Sequence, residues 1–463
     1  MKQIKIACVN DFHAALQQTE AVPGCARFLT ALRHWKQANP ESLIVFGGDN
    51  YLGDPTSEYA GGTPVTTLMR ELNVKTSALG NHELDFPAEQ LRRWQQEGDY
   101  PFVCANIADE NGNSPDFAVP YVILTTGEKR IAFLGLATKE PLNTSTHPAE
   151  IRKLVISDPA KAASDWCAWL RAGKAPEGTP DAILALTHIG LRFEPDGTPA
   201  GEEMCALCSS TAGLDGAFAA HWHQLMATHI AGIPVAQGGS HGQGFAVLTL
   251  CFADSGKLER VEPSYVSLEN PADWPEADAE MSRIYQNAHA VAMEKLSTKL
   301  AYAPTEIVHR NPDTHEPPYA GSPLSQMMLE AMARRADAPI ALLYSGWLGN
   351  GLPQGEVKKY DVSKNLYFNG NIVSMRVSGA VLMRNLSLGI RNLRTDNKSP
   401  IAVLGLHLVI DPSLPLGQRL QSASDDEGQA IDPEKTYAIV IDGGMAEGMM
   451  GFDFSEGTQK IYF

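Results

Sequence analysis

The run Ala78-Leu79-Gly80-Asn81-His82-Glu83-Leu84-Asp85 sets an amide, an imidazole and two carboxylates just behind a glycine. Glycine lets the backbone turn sharply, and the groups after it are those that ligate cations or move protons. Four other short polar clusters each follow an apolar run: Asn10-Asp11-Phe12-His13, Gly47-Gly48-Asp49-Asn50, Thr187-His188-Ile189-Gly190 and His221-Trp222-His223. Asp11, His13, Asp49, Asn81, His188, His221 and His223 thus offer carboxylate, amide and imidazole ligands, with His82 left for chemistry. That mix suits borderline or hard divalent ions such as Zn, Mn, Co or Fe. Asp11 and His13, like His221 and His223, are two residues apart. On extended backbone such pairs project to one side, so each pair is expected to address one small volume. Asp49 has two oxygens with which to bridge two ions. A pair of ions about 3.5–4 Å apart would hold an attacking water and a substrate oxygen together.

These clusters need rigid elements to carry them. Ile4 to Val9 and Leu43 to Phe46 read as short buried strands, each running into a polar turn. Residues 24–38 place Phe28, Leu29, Leu32 and Trp35 at helical spacing, and Thr63 to Leu72 also reads as a helix. Ala182 to Leu186 is a strand delivering His188. Tyr121 to Leu136 is a hairpin turning at residues 126–129, and Val235 to Phe252 reads as a strand pair that closes the sheet. Strands alternating with helices make an α/β fold, in which ligands gather outside the carboxyl ends of the strands. The breaker Asn270-Pro271-Ala272-Asp273-Trp274-Pro275 precedes a helical stretch over 276–298, read as a connector. A second α/β unit follows, with a helix from Pro323 to Arg335 and strands at Ile340–Tyr344, Ile372–Val377 and Tyr437–Ile441. The expected domains are 1–270, a linker helix over 271–302, and 303–463.

A chain of 463 residues exceeds one ordinary core, which agrees with two domains. Its net charge of −17 argues against nucleic-acid polymers and anionic membrane surfaces as partners. A small anionic substrate stays compatible if metals supply local positive charge. Seven cysteines, an odd number scattered over a large chain, suit a reducing compartment better than a disulfide framework. The N-terminus shows no signal-peptide core, so a cytoplasmic location is expected.

The five clusters together resemble the calcineurin-like metallophosphoesterases, in particular the two-domain 5′-nucleotidase and UDP-sugar hydrolase family. That family's Asp-x-His, Gly-Gly-Asp, Gly-Asn-His-Glu-x-Asp, Thr-His-x-Gly and Gly-His-x-His motifs appear here in order, with Ala220 in place of the glycine before His221. The resemblance implies a four-layer α/β/β/α sandwich followed by a smaller C-terminal α/β domain that selects substrate. It implies two divalent ions (Mn, Zn, Co, Fe or Mg), one held by Asp11, His13, Asp49 and His223 and the other by Asp49, Asn81, His188 and His221. It further implies that His82, oriented by Asp85, stabilises the transition state or protonates the leaving group. A metal-bound hydroxide would attack a phosphate monoester, of a nucleotide or a related phosphorylated metabolite.

The C-terminal half departs from the family. Its Asn-x-Gly-Gly-x-Arg aligns with Tyr344-Ser345-Gly346-Trp347-Leu348-Gly349, so the arginine becomes Gly349 and the second glycine Trp347. Pro-Phe-Gly-Asn appears as Tyr367-Phe368-Asn369-Gly370. Near the C-terminus Gly444 takes the place of a phenylalanine and Met450 that of an aspartate. Phe368, Trp347 and Phe452 are the candidates for a different, more apolar substrate contact. Two alternatives follow: a hydrolase of a non-nucleotide ester or phosphodiester, and a binding protein that retains metal without turnover. Glu83 is read as supporting or surface, and His241 as a minor substrate-side contact. Cys205 and Cys208 lack the second pair a zinc site needs. His147 has no grouping.

Overall fold

Alternate residues of the strand Lys2–Val9 enter different cores, and this defines the layers of the N-terminal unit. Ile4, Ile6 and Cys8 face a core shared by two sheets. Ala7 and Val9 face the opposite way, into a core under the helices Gly24–Ala38, Thr63–Glu71 and Ala88–Gly98. This is the two-residue period of a pleated strand, here buried on both faces. In the second sheet, Ile131, Phe133, Leu184 and Leu186 face the shared core. Ala132, Leu134, Ile183 and Ala185 pack under the helices Pro159–Arg171 and Glu202–Ser210. The result is four layers, helices on each outer face and two sheets between. The computed structural model describes residues 2–139, 147–310, 321–366, 371–391 and 399–463.

The first sheet runs in the order Leu258–Ser267, Gly244–Phe252, Lys2–Val9, Leu43–Phe46, Ser77–Ala78, Phe102–Val103, and its last four strands are parallel. The second runs Leu225–Ile230, Ile233–Gly238, Gly216–Phe218, Ala182–His188, Lys129–Ala137, Tyr121–Thr126, with its central four parallel. The hairpin expected between 121 and 136 is present in register. The pair expected over 235–252 divides instead: Ile233–Gly238 joins the second sheet, and Gly244–Phe252 pairs with Lys2–Val9 in the first. Gly239 and Gly242, at φ +78° and +74°, let residues 239–243 cross between the layers.

The chain divides into two compact units near residue 293. The helix Ala279–Leu296, expected as a connector, packs Met281, Ile284 and Tyr285 against the core beneath the first sheet's helices. Asp278 fixes its start by accepting from Met281 N–H at 2.7 Å and pairing with Arg33 at 2.6 Å. In the second unit a five-stranded sheet runs Ile401–Leu404, Ile340–Tyr344, Thr436–Asp442, Ile372–Ser378, Thr458–Tyr462. Along Ile340–Tyr344 the odd and even positions again separate. Ile340, Leu342 and Tyr344 face the helix Gly379–Gly389, while Ala341 and Leu343 face the helix Pro323–Ala336. Among the described residues no helix is long and apolar enough to cross a membrane.

Candidate metal centre

The parallel strands of both sheets end at a common edge, and the polar clusters leave from those ends. Asp11 and His13 follow Lys2–Val9, Asp49 follows Leu43–Phe46, and Asn81 and His82 follow Ser77–Ala78. His188 is the last residue of Ala182–His188, while His221 and His223 follow Gly216–Phe218. A hydrogen bond joins the two sheets here: His188 Nδ1 donates to Gly47 O at 2.8 Å.

The seven side chains converge as two groups. Asp11, His13 and His223 present ligand atoms within 4.8 Å of one another, and so do Asp49, His188 and His221. Asn81 Oδ1 joins the second group, 3.1 Å from His188 Nε2. Asp49 lies between the groups, with Oδ2 3.1 Å from His188 Nε2 and 3.8 Å from His13 Nε2. His221 and His223 therefore address different groups, against the expectation that an i, i+2 pair shares one volume. Asp11, His13, Asp49, His221 and His223 all sit at positive φ, between +47° and +69°, so the pairs leave tight left-handed turns and not extended strand. Non-glycine residues held there carry strain, which concentrates at functional sites.

The donor chemistry fits cations. His13 Nδ1 donates to Leu52 O at 3.0 Å, which leaves Nε2 of its neutral ring bare, and His188 Nδ1 donates to Gly47 O. His13 Nε2 then meets His223 Nε2 at 3.1 Å, and His188 Nε2 meets two oxygens at the same distance. Such clustering of acceptor atoms is relieved by a shared positive charge. Burial alone would disfavour a charged His188, but the carboxylates of Asp49 and Asp11 outweigh it and push its pKa up to about 10. Burial also works against an ionised Asp49, yet the His188 and His82 imidazoles hold it well below the usual carboxylate range. Burial keeps His13 and His221 neutral, at about 3 and about 4.

Further groups brace this set. Asn10 Nδ2 donates to Asp11 Oδ2 at 2.8 Å, and His221 N–H donates to the same carboxylate. Glu83 is 1% exposed and accepts the N–H groups of Asp49, Asn50 and Gly80. Nothing in its chain neighbours signals how deeply it is buried. His82 N–H donates to Asp49 Oδ1 at 2.9 Å, and its ring Nδ1 lies 2.7 Å from Asp85 Oδ2. His241, read as a minor substrate-side contact, and His147, for which the sequence showed no grouping, also lie here. The ring of His241 stacks on that of His13, centroids 5.0 Å apart, and His147 Nε2 lies 3.8 Å from Asp85 Oδ1. The indole of Trp222 packs onto Gly190, where any side chain would collide with it, and Arg192 lies over its face.

In the second unit, Phe368 lies outside the described residues. Phe452, expected at the substrate, is 2% exposed and packs among Tyr344, Phe454 and the Arg391 guanidinium. Its ring is core packing, because the loop around Met449–Gly451 turns it inward. Trp347 is half-buried, edge-on to Tyr344, and its ring covers Gly444.

Known proteins resemble this chain along its whole length. The family model for calcineurin-like phosphoesterase matches residues 4–225, and that for the 5′-nucleotidase C-terminal domain matches residues 299–456. An apyrase from Tabanus yao is 23% identical, covering 99% of this chain and 88% of its own. The crystal structure of a putative 5′-nucleotidase from Staphylococcus aureus superposes with a TM-score of 0.83 at 18% identity, covering 99% of this chain and 94% of that one. That of a 5′-nucleotidase precursor from Thermus thermophilus gives 0.74 at 22% identity, covering 100% and 93%.

Proposed function

Because the chain belongs to the calcineurin-like phosphoesterases that carry a 5′-nucleotidase C-terminal domain, we propose that this phosphoester hydrolase cleaves phosphate monoesters of a small metabolite, using two divalent ions. Asp11, His13 and His223 would hold one ion, and Asn81, His188 and His221 the other, with Asp49 shared. When bound, such ions supply positive charge for the phosphoryl oxygens and lower the pKa of water. The observation that carries the reading is the convergence of seven side chains from both sheets into two adjoining groups. Asn81 contributes a neutral oxygen, which spares an anionic substrate further repulsion. His82, anchored through its N–H to Asp49 and through its ring to Asp85, would give a proton to the departing oxygen. The carboxylate fixes the ring tautomer. All seven cysteines are free thiols, which supports a reducing, cytoplasmic setting.

The names of the relatives point to nucleotides as substrates, and one observation favours another phosphorylated metabolite. A side chain at Gly349, the position of the family's arginine, would run into Asn365, whose Oδ1 lies 2.7 Å from the Cβ position. Trp347 also covers Gly444, the position of the family's phenylalanine. The test is hydrolysis of p-nitrophenyl phosphate by the protein loaded in turn with Mn, Zn, Co, Fe or Mg. A panel of nucleotides, nucleotide sugars and phosphorylated non-nucleotides follows. Metal binding without turnover on any of them would overturn the reading in favour of a binding protein.

A further inference from the structure

The two oxygens of Asp85 are divided between two imidazoles. Oδ2 lies 2.7 Å from His82 Nδ1, and Oδ1 lies 3.8 Å from His147 Nε2. His82 and Asp85 are three residues apart, but His147 comes from a distant part of the chain, beyond the strand Lys129–Ala137. It is brought there by an anchored segment. Ile151 is fully buried in the core beneath the first sheet's helices. Its N–H and that of Arg152 donate to Pro148 O at 3.0 Å, which winds residues 148–152 into a turn. Glu150 Oε1 accepts Ala88 N–H at 3.3 Å, at the start of the helix that follows Asp85. The segment thus touches the Asp85 loop at two points, one at the helix start and one at the carboxylate itself. The side chain of Asp85 is 30% exposed, against 12% for His147. A carboxylate that open to water has little besides its partners to stop it rotating away from His82.

We propose that His147 is a positioning residue for the reaction: it holds Asp85 Oδ1 so that Oδ2 stays on His82 Nδ1. His82 Nε2 is then kept on the far side of the ring, where it serves the leaving group. The inference rests on the reading of His82 as the acid. In that step the P–O bond to the alcohol breaks as a new P–O bond forms to the oxygen of water. The departing oxygen takes the Nε2 proton, and the proton that water loses returns to the ring. Only a leaving group that needs the proton depends on this arrangement.

The experiment compares phenyl phosphate, whose leaving group is strongly basic, with p-nitrophenyl phosphate, whose leaving group is not. It uses the metal-loaded wild type, His82→Ala, His147→Ala, His147→Gln and the double alanine variant, with metal content measured for each. For His147→Ala the expected result is a fall in kcat of about tenfold or more on phenyl phosphate. On p-nitrophenyl phosphate the fall is small, with KM and metal content unchanged. His147→Gln, whose amide N–H can donate to the same oxygen, restores most of the loss. The double variant is no slower than His82→Ala, because both act through one group. If His147→Ala slows both substrates equally, changes neither, loses metal, or adds to His82→Ala, the inference is overturned and the reading of His82 stands. If His82→Ala itself shows no dependence on the leaving group, that reading fails and takes the inference with it.

Discussion

Glu83 Oε2 accepts the backbone N–H of Asp49 at 2.8 Å, tying the loop of the shared carboxylate to the loop that carries Asn81 and His82. The same carboxylate accepts from Asn50 at 2.7 Å and from Gly80 at 2.8 Å. In Glu83→Gln one acceptor oxygen becomes an NH2 that faces N–H donors. Each buried N–H left unpaired costs about 1–3 kcal/mol. The variant is expected to melt several degrees lower and to bind Mn more weakly. Equal melting temperature and equal metal affinity would show that Glu83 does not hold the loop.

Removing metal should destabilise the N-terminal unit. His13 Nε2 and His223 Nε2 face each other at 3.1 Å, with Asp11 Oδ1 3.4 Å from the latter. A ligand that binds only the folded state stabilises it by about 2.7 kcal/mol at one hundred times its Kd. Chelation is expected to lower the melting temperature and added Mn or Zn to restore it. Asp49→Ala should abolish that response. A melting curve indifferent to chelator would count against a metal centre here.

Gly190 has no left-handed backbone, so alanine there is strained only by contact with the Trp222 indole. Gly190→Ala should cost about 1–3 kcal/mol, typical of overpacking. Trp222→Ala in the same chain should recover most of that loss. Urea unfolding of the two single variants and the double variant measures the coupling, and additive losses would refute the contact.

Asp442 caps the short helix Gly443–Ala446 by accepting from Met445 N–H at 2.9 Å. Burial pushes its pKa up to about 7, against the backbone N–H bonds that favour the anion. The ordinary value of 3.8 applies when the chain unfolds. The folded state therefore holds the proton more tightly. The resulting stability is fully present below the ordinary value and is lost as pH rises through about 7. Asp442→Asn removes this dependence. Relative to wild type it should gain about 1–4 kcal/mol between pH 4 and pH 8. Thermal unfolding at both pH values tests it, and a constant difference would rule it out.

By itself the sequence determined the α/β alternation, the hairpin at 121–136 and the five polar clusters. Those features are local: a buried strand must be an apolar run, and a group exposed at its end must follow that run within a few residues. It also showed that the C-terminal half had changed, because a missing arginine at Gly349 needs no coordinates to be seen. The tertiary structure decided the backbone turns, the sheet pairing and the partners of residues outside the five clusters. His221 and His223 leave left-handed turns, invisible in residue types, where their spacing suggested extended backbone. Residues 233–252 divide between two sheets because sheet pairing is set by distant strands, not by the alternation both segments share. Glu83 and His147 meet the partners described above only through space. A lone histidine carries no periodic signal, and a buried carboxylate looks like a surface one until the donors around it are in place.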